Sequence, residues 1–335
     1  MRKKFLSVIL FFTVISLNFS GCGNTKQSAD NSDEQIVLKF GHVAALTEPY
    51  HLGLVKMAEL VEEGTDGRYR IEIYPSAQLG GERDLVEGVK LGSVDGCLTA
   101  CAPISNFSPS IAAIELPGLI NDYDQADRVF MGEIGQEICD TISQDAKVKA
   151  LGIWEDGFTC IATSKKQVNS LEDLKGLKIR TMESQIHQMA IKSMGADPVP
   201  MAWGEAYTAV QQGALDGLVN GLVPIYAQKV GEICKYIAVT NHIYSPAVLI
   251  MNQDIWEQMS EEDKKVFEFA AKEANLTERK LNRENEEEAR KKLAEEGVSV
   301  VDIDKEEVQK AVFGVEDELF KDKESKELID KIRNS

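Results

Sequence analysis

Apolar and polar positions alternate along the first part of the chain with two different periods. Spacings of two residues are typical of a half-buried strand, and spacings of three to four residues are typical of an amphipathic helix. These patterns predict strands at 37–41, 69–75 and 94–98 and helices at 51–63 and 82–91. Gly64 and Gly67 mark the end of the first helix. The order β-α-β-α-β favours a largely parallel sheet with helices on its faces.

The same succession of elements returns in the second half of the chain. Ser170, followed three residues later by Asp173, predicts a capping box that opens a short helical turn, which Gly176 closes. Beyond it, the pattern predicts strands at 177–180 and 215–220 and helices at 184–194 and 203–212.

A long, charged helix is predicted near the carboxyl end. A second capping box, from Ser260 to Asp263, starts it, and Gly297 ends it. Its length of roughly 36 residues is unusual for a globular protein, and the absence of a clean heptad disfavours a coiled coil. A helix that spans two domains accounts for this length. A strand at 298–301 and a final helix over about 305–332 follow.

The chain is too long for one typical core, because about 300 folded residues usually divide into two domains. No linker rich in proline or glycine separates two halves, so we expect the chain to cross between the domains more than once. This predicts an α/β protein with two lobes that close on a ligand beyond the carboxyl ends of the strands. The predicted lobes are 35–157 with 246–285, and 158–245 with 286–335.

The amino terminus is typical of an exported lipoprotein. Residues 1–21 have a basic start, a short apolar core and the small pair Ser20-Gly21. Because this pair directly precedes a cysteine, it resembles a lipobox with Cys22 as the lipid-bearing residue. The polar segment 22–34 predicts a flexible tether. The alternative is an uncleaved anchor helix, which the short apolar core disfavours.

The charge of the chain excludes one class of partner. The formal net charge is −18 and becomes −21 without residues 1–21, which hold three basic residues and no acidic one. Nucleic-acid binding relies on clustered Lys and Arg, so this acidic chain is not expected to bind nucleic acid. An anionic ligand would need a local positive group, since the overall field repels it.

Five further cysteines follow Cys22 and do not form a metal motif. They are Cys97, Cys101, Cys139, Cys160 and Cys234. Cys97 and Cys101 could share a helix face, but no histidine lies nearby in sequence to complete a metal site. We interpret all five as small apolar residues. The alternative, a disulfide framework, would leave one of the five thiols unpaired.

Nothing in the sequence indicates an enzyme. It lacks HExxH, GxSxG and a glycine-rich phosphate loop, and its four histidines are scattered without ligand spacing. We therefore predict no catalytic residues, no metal and no cofactor.

Five motifs follow one another along the chain, at 74–80 (YPSAQLG), 116–117 (LP), 174–180 (LKGLKIR), 195–207 (GADPVPMAWGEAY) and 209–217 (AVQQGALDG). In this order they resemble the solute-binding proteins of TRAP (tripartite ATP-independent periplasmic) transporters, the C4-dicarboxylate-type receptor family. The resemblance covers nearly all of 36–290. It implies an extracytoplasmic receptor that binds a small organic acid and delivers it to integral membrane subunits. Two alternatives remain open: a binding protein of an ATP-driven importer, and an exported enzyme on a similar scaffold.

The resemblance also implies ligand-binding residues. The arginine that matches Arg180 binds the ligand carboxylate in the family, and a guanidinium fork suits that role. Asn220 matches a ligand-binding asparagine, although Asn220-Gly221 is also a plausible turn. Trp203 matches an aromatic wall, although it could equally be an interdomain packing residue. Three further residues match positions that line the site in relatives: Glu82, Cys160 and Tyr244.

Three positions depart from the family pattern. Some relatives that bind sugar acids carry a second arginine where this chain has Cys160. Many have glutamate where Val219 stands and proline where Gly221 stands. The site is therefore expected to lack a second strong anchor. This favours a monocarboxylate with an apolar or hydroxylated body over a highly polar sugar acid.

Overall fold

The computed structural model describes residues 35–335, so that Cys22, the predicted signal peptide and the predicted tether lie outside the described residues. Residues 35–335 contain ten strands and thirteen helices. The strands are β1 (Ile36–Gly41), β2 (Tyr69–Tyr74), β3 (Gly96–Ala100), β4 (Val148–Thr163), β5 (Lys178–Thr181), β6 (Asp197–Pro200), β7 (Gly217–Gly221), β8 (Tyr236–Val239), β9 (Tyr244–Asn252) and β10 (Ser299–Asp302).

Most helices lie on the faces of the sheet, between successive strands. They are α1 (Pro49–Gly64), α2 (Glu82–Leu91), α3 (Cys101–Ile104), α4 (Tyr123–Phe130), α5 (Glu133–Ala146), α6 (Gln185–Ser193), α7 (Trp203–Gln211), α8 (Leu222–Ala227), α9 (Gln253–Gln258), α10 (Glu261–Glu295), α11 (Lys305–Val312), α12 (Val315–Leu319) and α13 (Lys323–Arg333). Short 3₁₀ turns occupy Pro109–Glu115, Leu171–Leu174 and Val230–Glu232. No helix in this part of the chain combines the length and the apolar character needed to cross a bilayer.

The sheet is mixed, which corrects the prediction of a largely parallel one. Its main path runs β2-β1-β3-β9-β4-β7-β5-β6, with β8 beside β4 and β10 beside β8. The predicted β-α-β units do pair in parallel, as β1 does with β2 and β3. However, β4 and β9 run antiparallel to their neighbours in the middle of the sheet. The sequence predicts neither strand, because β9 is buried at every position and shows no alternation.

Strand β4 belongs to both halves of the sheet. Through Phe158 it pairs with β9, and from Thr159 onward it pairs with β7 and later also with β8. A register shift lies between Glu155 and Gly157, and Gly157 has a φ of 91°, which favours glycine. Because neighbouring side chains on a strand point to opposite faces, Glu155 and Asp156 face different surroundings at this irregularity.

Helix α10 connects two separate apolar cores, as the prediction of a spanning helix requires. Near its start, Phe267 and Ala270 lie in one core together with Leu54 of α1. Near its end, Ala289 and Leu293 lie in a second core, which α7, α8 and β7 also supply.

The final helix predicted over 305–332 is wrong, because α11, α12 and α13 replace it. Gly314 interrupts the first segment, and Asp322 begins a new helix by accepting a hydrogen bond from the Ser325 backbone nitrogen at 2.8 Å. Apolar spacing continues across these breaks, which explains the overlong prediction.

Only one of the two predicted capping boxes forms a side-chain cap. The Ser260 hydroxyl accepts from the Asp263 backbone nitrogen at 3.1 Å and starts α10 as predicted. Ser170 makes no side-chain capping bond, and only a 3₁₀ turn follows it. The Asp173 carboxylate accepts instead from the Asn169 backbone nitrogen at 3.1 Å.

All five cysteines of residues 35–335 are buried free thiols, which agrees with their interpretation as small apolar residues. Cys97 lies on β3 and Cys101 begins α3, so they do not share a helix face.

Candidate functional site

A cavity with an empty volume of about 400 Å³, its open mouth included, lies at the carboxyl ends of β5 and β7. This is the edge where α/β proteins hold ligands. Four of the predicted site residues line it: Glu82, Arg180, Trp203 and Asn220. The other polar residues around it are Glu48, Tyr50, Asp156 and Gln228.

Arg180 is the buried cation of this cavity, with 2% of its surface exposed. Its Nε donates to the Met201 carbonyl at 2.8 Å, and its Nη1 donates to the Val219 carbonyl at 3.3 Å. These bonds fix the plane of the guanidinium while Nη2 has no hydrogen-bond partner within residues 35–335. No carboxylate in this part of the chain forms an ion pair with Arg180. A buried guanidinium that keeps one nitrogen without a partner is well suited to bind an anion.

The surroundings of Arg180 set its charge. Burial lowers the pKa of the guanidinium to about 10, and the charges of Glu82 and Asp156 oppose that shift. Arg180 is therefore positively charged at neutral pH. The Trp203 ring lies against it, with 5.3 Å between the guanidinium carbon and the ring centroid. This distance allows a cation–π contact.

Asn220 lies at the end of β7 and is 6% exposed. Its Oδ1 accepts from the Gly221 backbone nitrogen at 2.8 Å, and both residues belong to β7 with Gly221 extended, so the pair does not form a turn. The same bond orients the side chain, since it assigns the oxygen and leaves Nδ2 as a donor at the cavity wall.

A chain of hydrogen bonds crosses the mouth of the cavity. Trp203 Nε1 donates to Gln228 Oε1 at 2.8 Å, and Gln228 Nε2 donates to Glu48 Oε1 at 2.8 Å. The same Glu48 oxygen accepts from the Ala45 backbone nitrogen at 2.6 Å. These hydrogen bonds join the segment before α1 to the end of α8 and hold the Trp203 indole in place.

Three carboxyl groups surround the single guanidinium. Burial raises the pKa of Glu48 to about 7 and that of Asp156 to about 8. Burial also raises the pKa of Glu82, while its bond from the Ala100 backbone nitrogen and the charge of Arg180 counteract the shift. The Tyr50 hydroxyl is buried and has no hydrogen-bond partner within the described residues.

Two predicted site residues lie elsewhere. Tyr244 donates its hydroxyl proton to Glu155 at 2.9 Å and packs against Phe130 and Phe158. Cys160 is fully buried in the apolar core that contains Leu218 and Leu293. Neither lines the cavity at Arg180, so their predicted contact with a ligand has no geometric support.

Behind β4, a buried ionic cluster supports the wall of the cavity. Glu155 is fully buried and accepts from Arg279 Nη1 at 3.1 Å and from Arg283 Nη2 at 2.8 Å. Arg283 also donates to both oxygens of Asp127. The cluster joins β4, α4 and α10 on the side of the strand opposite Asp156.

The comparisons with known proteins agree with this geometry. The profile of bacterial extracellular solute-binding protein, family 7, matches residues 40–323. A solute-binding protein of Verminephrobacter eiseniae is 37% identical over 74% of this chain and 74% of its own length.

Two solved structures are similar in fold and sequence. One is a TRAP periplasmic solute-binding protein of a Polaromonas species bound to D-erythronate, with a TM-score of 0.86 and 36% identity, covering 89% of this chain and 98% of that one. The other is a TRAP periplasmic solute-binding protein of a Bradyrhizobium species in complex with D-galacturonate, with a TM-score of 0.86 and 31% identity, covering 89% of this chain and 99% of that one.

Proposed function

The chain belongs to bacterial extracellular solute-binding protein family 7, and we propose that it binds a small organic acid in the cavity at Arg180 and delivers it to the membrane subunits of a TRAP-type secondary transporter. The family confirms the resemblance and the two-lobe α/β class. Its members and structural neighbours are receptors, so we infer that this chain catalyses no reaction.

One observation carries the proposal: Arg180 is buried, charged and without a carboxylate partner in residues 35–335. Its backbone bonds fix the guanidinium before any ligand arrives, which reduces the loss of freedom on binding. A carboxylate at Nη2 would gain charge-assisted hydrogen bonds from a guanidinium that is itself buried.

We propose a hydroxylated monocarboxylate as the ligand class. One guanidinium provides one carboxylate anchor, and the carboxyl groups of Glu82 and Asp156 are suited to accept from hydroxyl groups. The Asn220 amide is suited to donate to another ligand oxygen. D-erythronate, which one structural neighbour binds, is an acid of this kind, whereas D-galacturonate, which another binds, is a monocarboxylate of the sugar-acid class that the sequence disfavours.

A thermal-shift screen tests the proposal. The panel pairs each acid with an uncharged relative, such as D-erythronate with erythritol, so that only the carboxylate differs. An acid at about 100 times its dissociation constant should stabilise the protein by roughly 2.7 kcal/mol. Equal shifts for erythritol and D-erythronate would contradict the role of Arg180.

We further propose three features that accompany this function. Cys22 carries a lipid, and segment 22–34 tethers the receptor to the membrane. Replacing Cys22 with alanine should release the protein from membranes, as fractionation of expressing cells would measure.

The proposed lobes are 35–157 with 246–285, and 158–245 with 286–335. The change of partner strand along β4 at Phe158–Thr159 supports the first of these boundaries.

A further inference from the structure

The charges in the cavity do not balance. Glu48, Glu82 and Asp156 line it with Arg180 as the only cation among the lining residues. A bound organic acid would add a fourth negative group. Several ionised groups of one sign in a buried space repel one another, and each has lost its hydration.

Hydrogen bonds distinguish the three carboxyl groups. Glu48 accepts from two N–H groups, those of Ala45 and Gln228. Glu82 accepts from the Ala100 backbone nitrogen at 2.8 Å and stands in the first turn of α2, where the helix dipole favours negative charge. Asp156 accepts no hydrogen bond within residues 35–335. The buried Ser245 hydroxyl lies near enough to lower the pKa of Asp156, but it too has no hydrogen-bond partner in this part of the chain.

The groups that face Asp156 are mostly acidic. From the surrounding elements they are Glu48, Glu82, Glu115, Glu278, Tyr50, Cys101 and, as the single cation, Arg180. Burial is the largest cause of the raised pKa of the Asp156 carboxyl, and the charges of Glu82 and Glu48 raise this pKa further.

We propose that Asp156 holds a proton when the cavity is occupied, so that the receptor binds the organic acid together with one proton from the solvent. The inference rests on the proposed function. The step is the addition of H⁺ to the Asp156 carboxylate while the ligand remains an anion on Arg180. The neutral carboxyl then has an O–H that donates to a ligand oxygen, a role that an ionised carboxylate does not have.

Affinity should then depend on pH in a defined window. Burial raises the pKa of Asp156 to about 8 in the free protein, so that below about pH 7 the proton is already present. Above pH 8 each binding event takes up a proton from the buffer, and the dissociation constant rises by up to about tenfold per pH unit. The window ends near the pKa of Arg180, about 10.

Calorimetric titration with D-erythronate tests the proposal. At pH 8.5, heats in buffers of different ionisation enthalpy should give an uptake of roughly 0.5–0.8 proton per ligand. Asp156→Asn should bind D-erythronate without this uptake at pH 8.5, where Glu48, whose pKa burial raises only to about 7, is already ionised, and its affinity should change little between pH 8 and 9. Asp317→Asn, on the exposed face of α12, is the matched control and should behave like the wild type.

Binding without proton uptake, or the same pH profile in Asp156→Asn and the wild type, would overturn the proposal and leave the proposed function intact. A ligand-free measurement decides it even where D-erythronate does not bind. In protein labelled with ¹³C at aspartate Cγ, the resonance that Asp156→Asn removes should titrate well above pH 6. Titration near the ordinary value of about 4 would overturn the proposal.

Discussion

Trp203 rests on the Arg180 guanidinium because Gln228 holds the indole nitrogen. Gln228 is therefore a positioning residue, which acts on the expected ligand carboxylate through Trp203 and Arg180. Its amide also donates to Glu48, so that one side chain joins two walls of the cavity.

Gln228→Ala should weaken binding of the organic acid by about 5–160-fold, since two hydrogen bonds of about 0.5–1.5 kcal/mol each are lost. Gln253→Ala removes an exposed glutamine bond on α9 and should leave affinity unchanged. Calorimetric affinities measure both. An unchanged affinity in Gln228→Ala would mean that the indole needs no support from this chain of bonds.

Arg180→Ala should lower the affinity by at least about 100-fold, because charge-assisted bonds contribute roughly 1.5–3 kcal/mol each. Arg180→Lys keeps the charge without the planar fork and should also lose most of the binding. Lys178→Ala changes an exposed cation on the same strand and serves as the control. Retained affinity in Arg180→Ala, with the protein folded, would refute the anchor role.

Sequence reasoning identifies only part of this site. Arg180 and Trp203 lie in motifs that resemble a known family, Glu82 and Asn220 follow closely after two of these motifs, and the fold brings all four to one cavity. Asp156 and Glu48 carry no such signal, since they are two of 55 acidic residues. Their importance comes from burial next to a single cation, which depends on tertiary structure.

At the scale of elements, local signals succeed where a helix defines its own ends. α10 begins directly after Ser260 and ends close to Gly297, as predicted. β9 is missed because a strand buried on both faces has no period of two, and the same holds for β4 from Gly157 onward. Likewise, apolar spacing alone does not detect the breaks at Gly314 and Asp322.

The two predicted capping boxes test whether the sequence pattern or the hydrogen bond itself stabilises the start of a helix. Ser260→Ala should reduce the free energy of unfolding by about 0.5–2 kcal/mol, because the hydroxyl caps α10. Ser170→Ala should change it by less than about 0.5 kcal/mol, because its side chain makes no capping bond. Urea unfolding measures both, and equal effects would show that the sequence pattern, rather than the bond, determines the outcome.

Substitutions in the ionic cluster behind β4 should lower the free energy of unfolding more than the loss of a helix cap does. Arg279→Met leaves the buried Glu155 carboxylate with one fewer cation and should destabilise the protein by about 3–5 kcal/mol. Lys280→Met, one residue along α10, removes a cation that is 73% exposed and should have little effect. Urea unfolding compares the two variants, and a similar small change in both would mean that Arg283 alone neutralises Glu155.

Across the whole molecule, buried ionisable groups of two kinds limit stability from opposite sides of neutral pH. Burial lowers the pKa values of His42 and His242 to about 3, so their contribution is lost as pH falls below about 6.5. Glu48 and Asp156 have raised pKa values, so the folded state binds more protons than the unfolded chain, and stability falls as pH rises. Above about pH 7.5 the histidine contribution is nearly complete, so that the buried carboxyl groups with raised pKa values, which also include Glu82 and Glu278, determine the slope.

The ligand-free protein should therefore lose thermal stability between pH 6.5 and 8.5, and Asp156→Asn should remove much of that loss. Asparagine keeps the shape of the neutral carboxyl and has no proton to lose, so its advantage in Tm over the wild type should grow with pH. Each kcal/mol corresponds to roughly 2–4 °C in a protein of this size class. Scanning calorimetry at several pH values measures the difference, with Asp317→Asn as the surface control. Parallel Tm profiles for Asp156→Asn and the wild type would mean that Asp156 ionises without penalty in the fold, and the slope would then have to come from the other carboxyl groups with raised pKa values, such as Glu48 and Glu278.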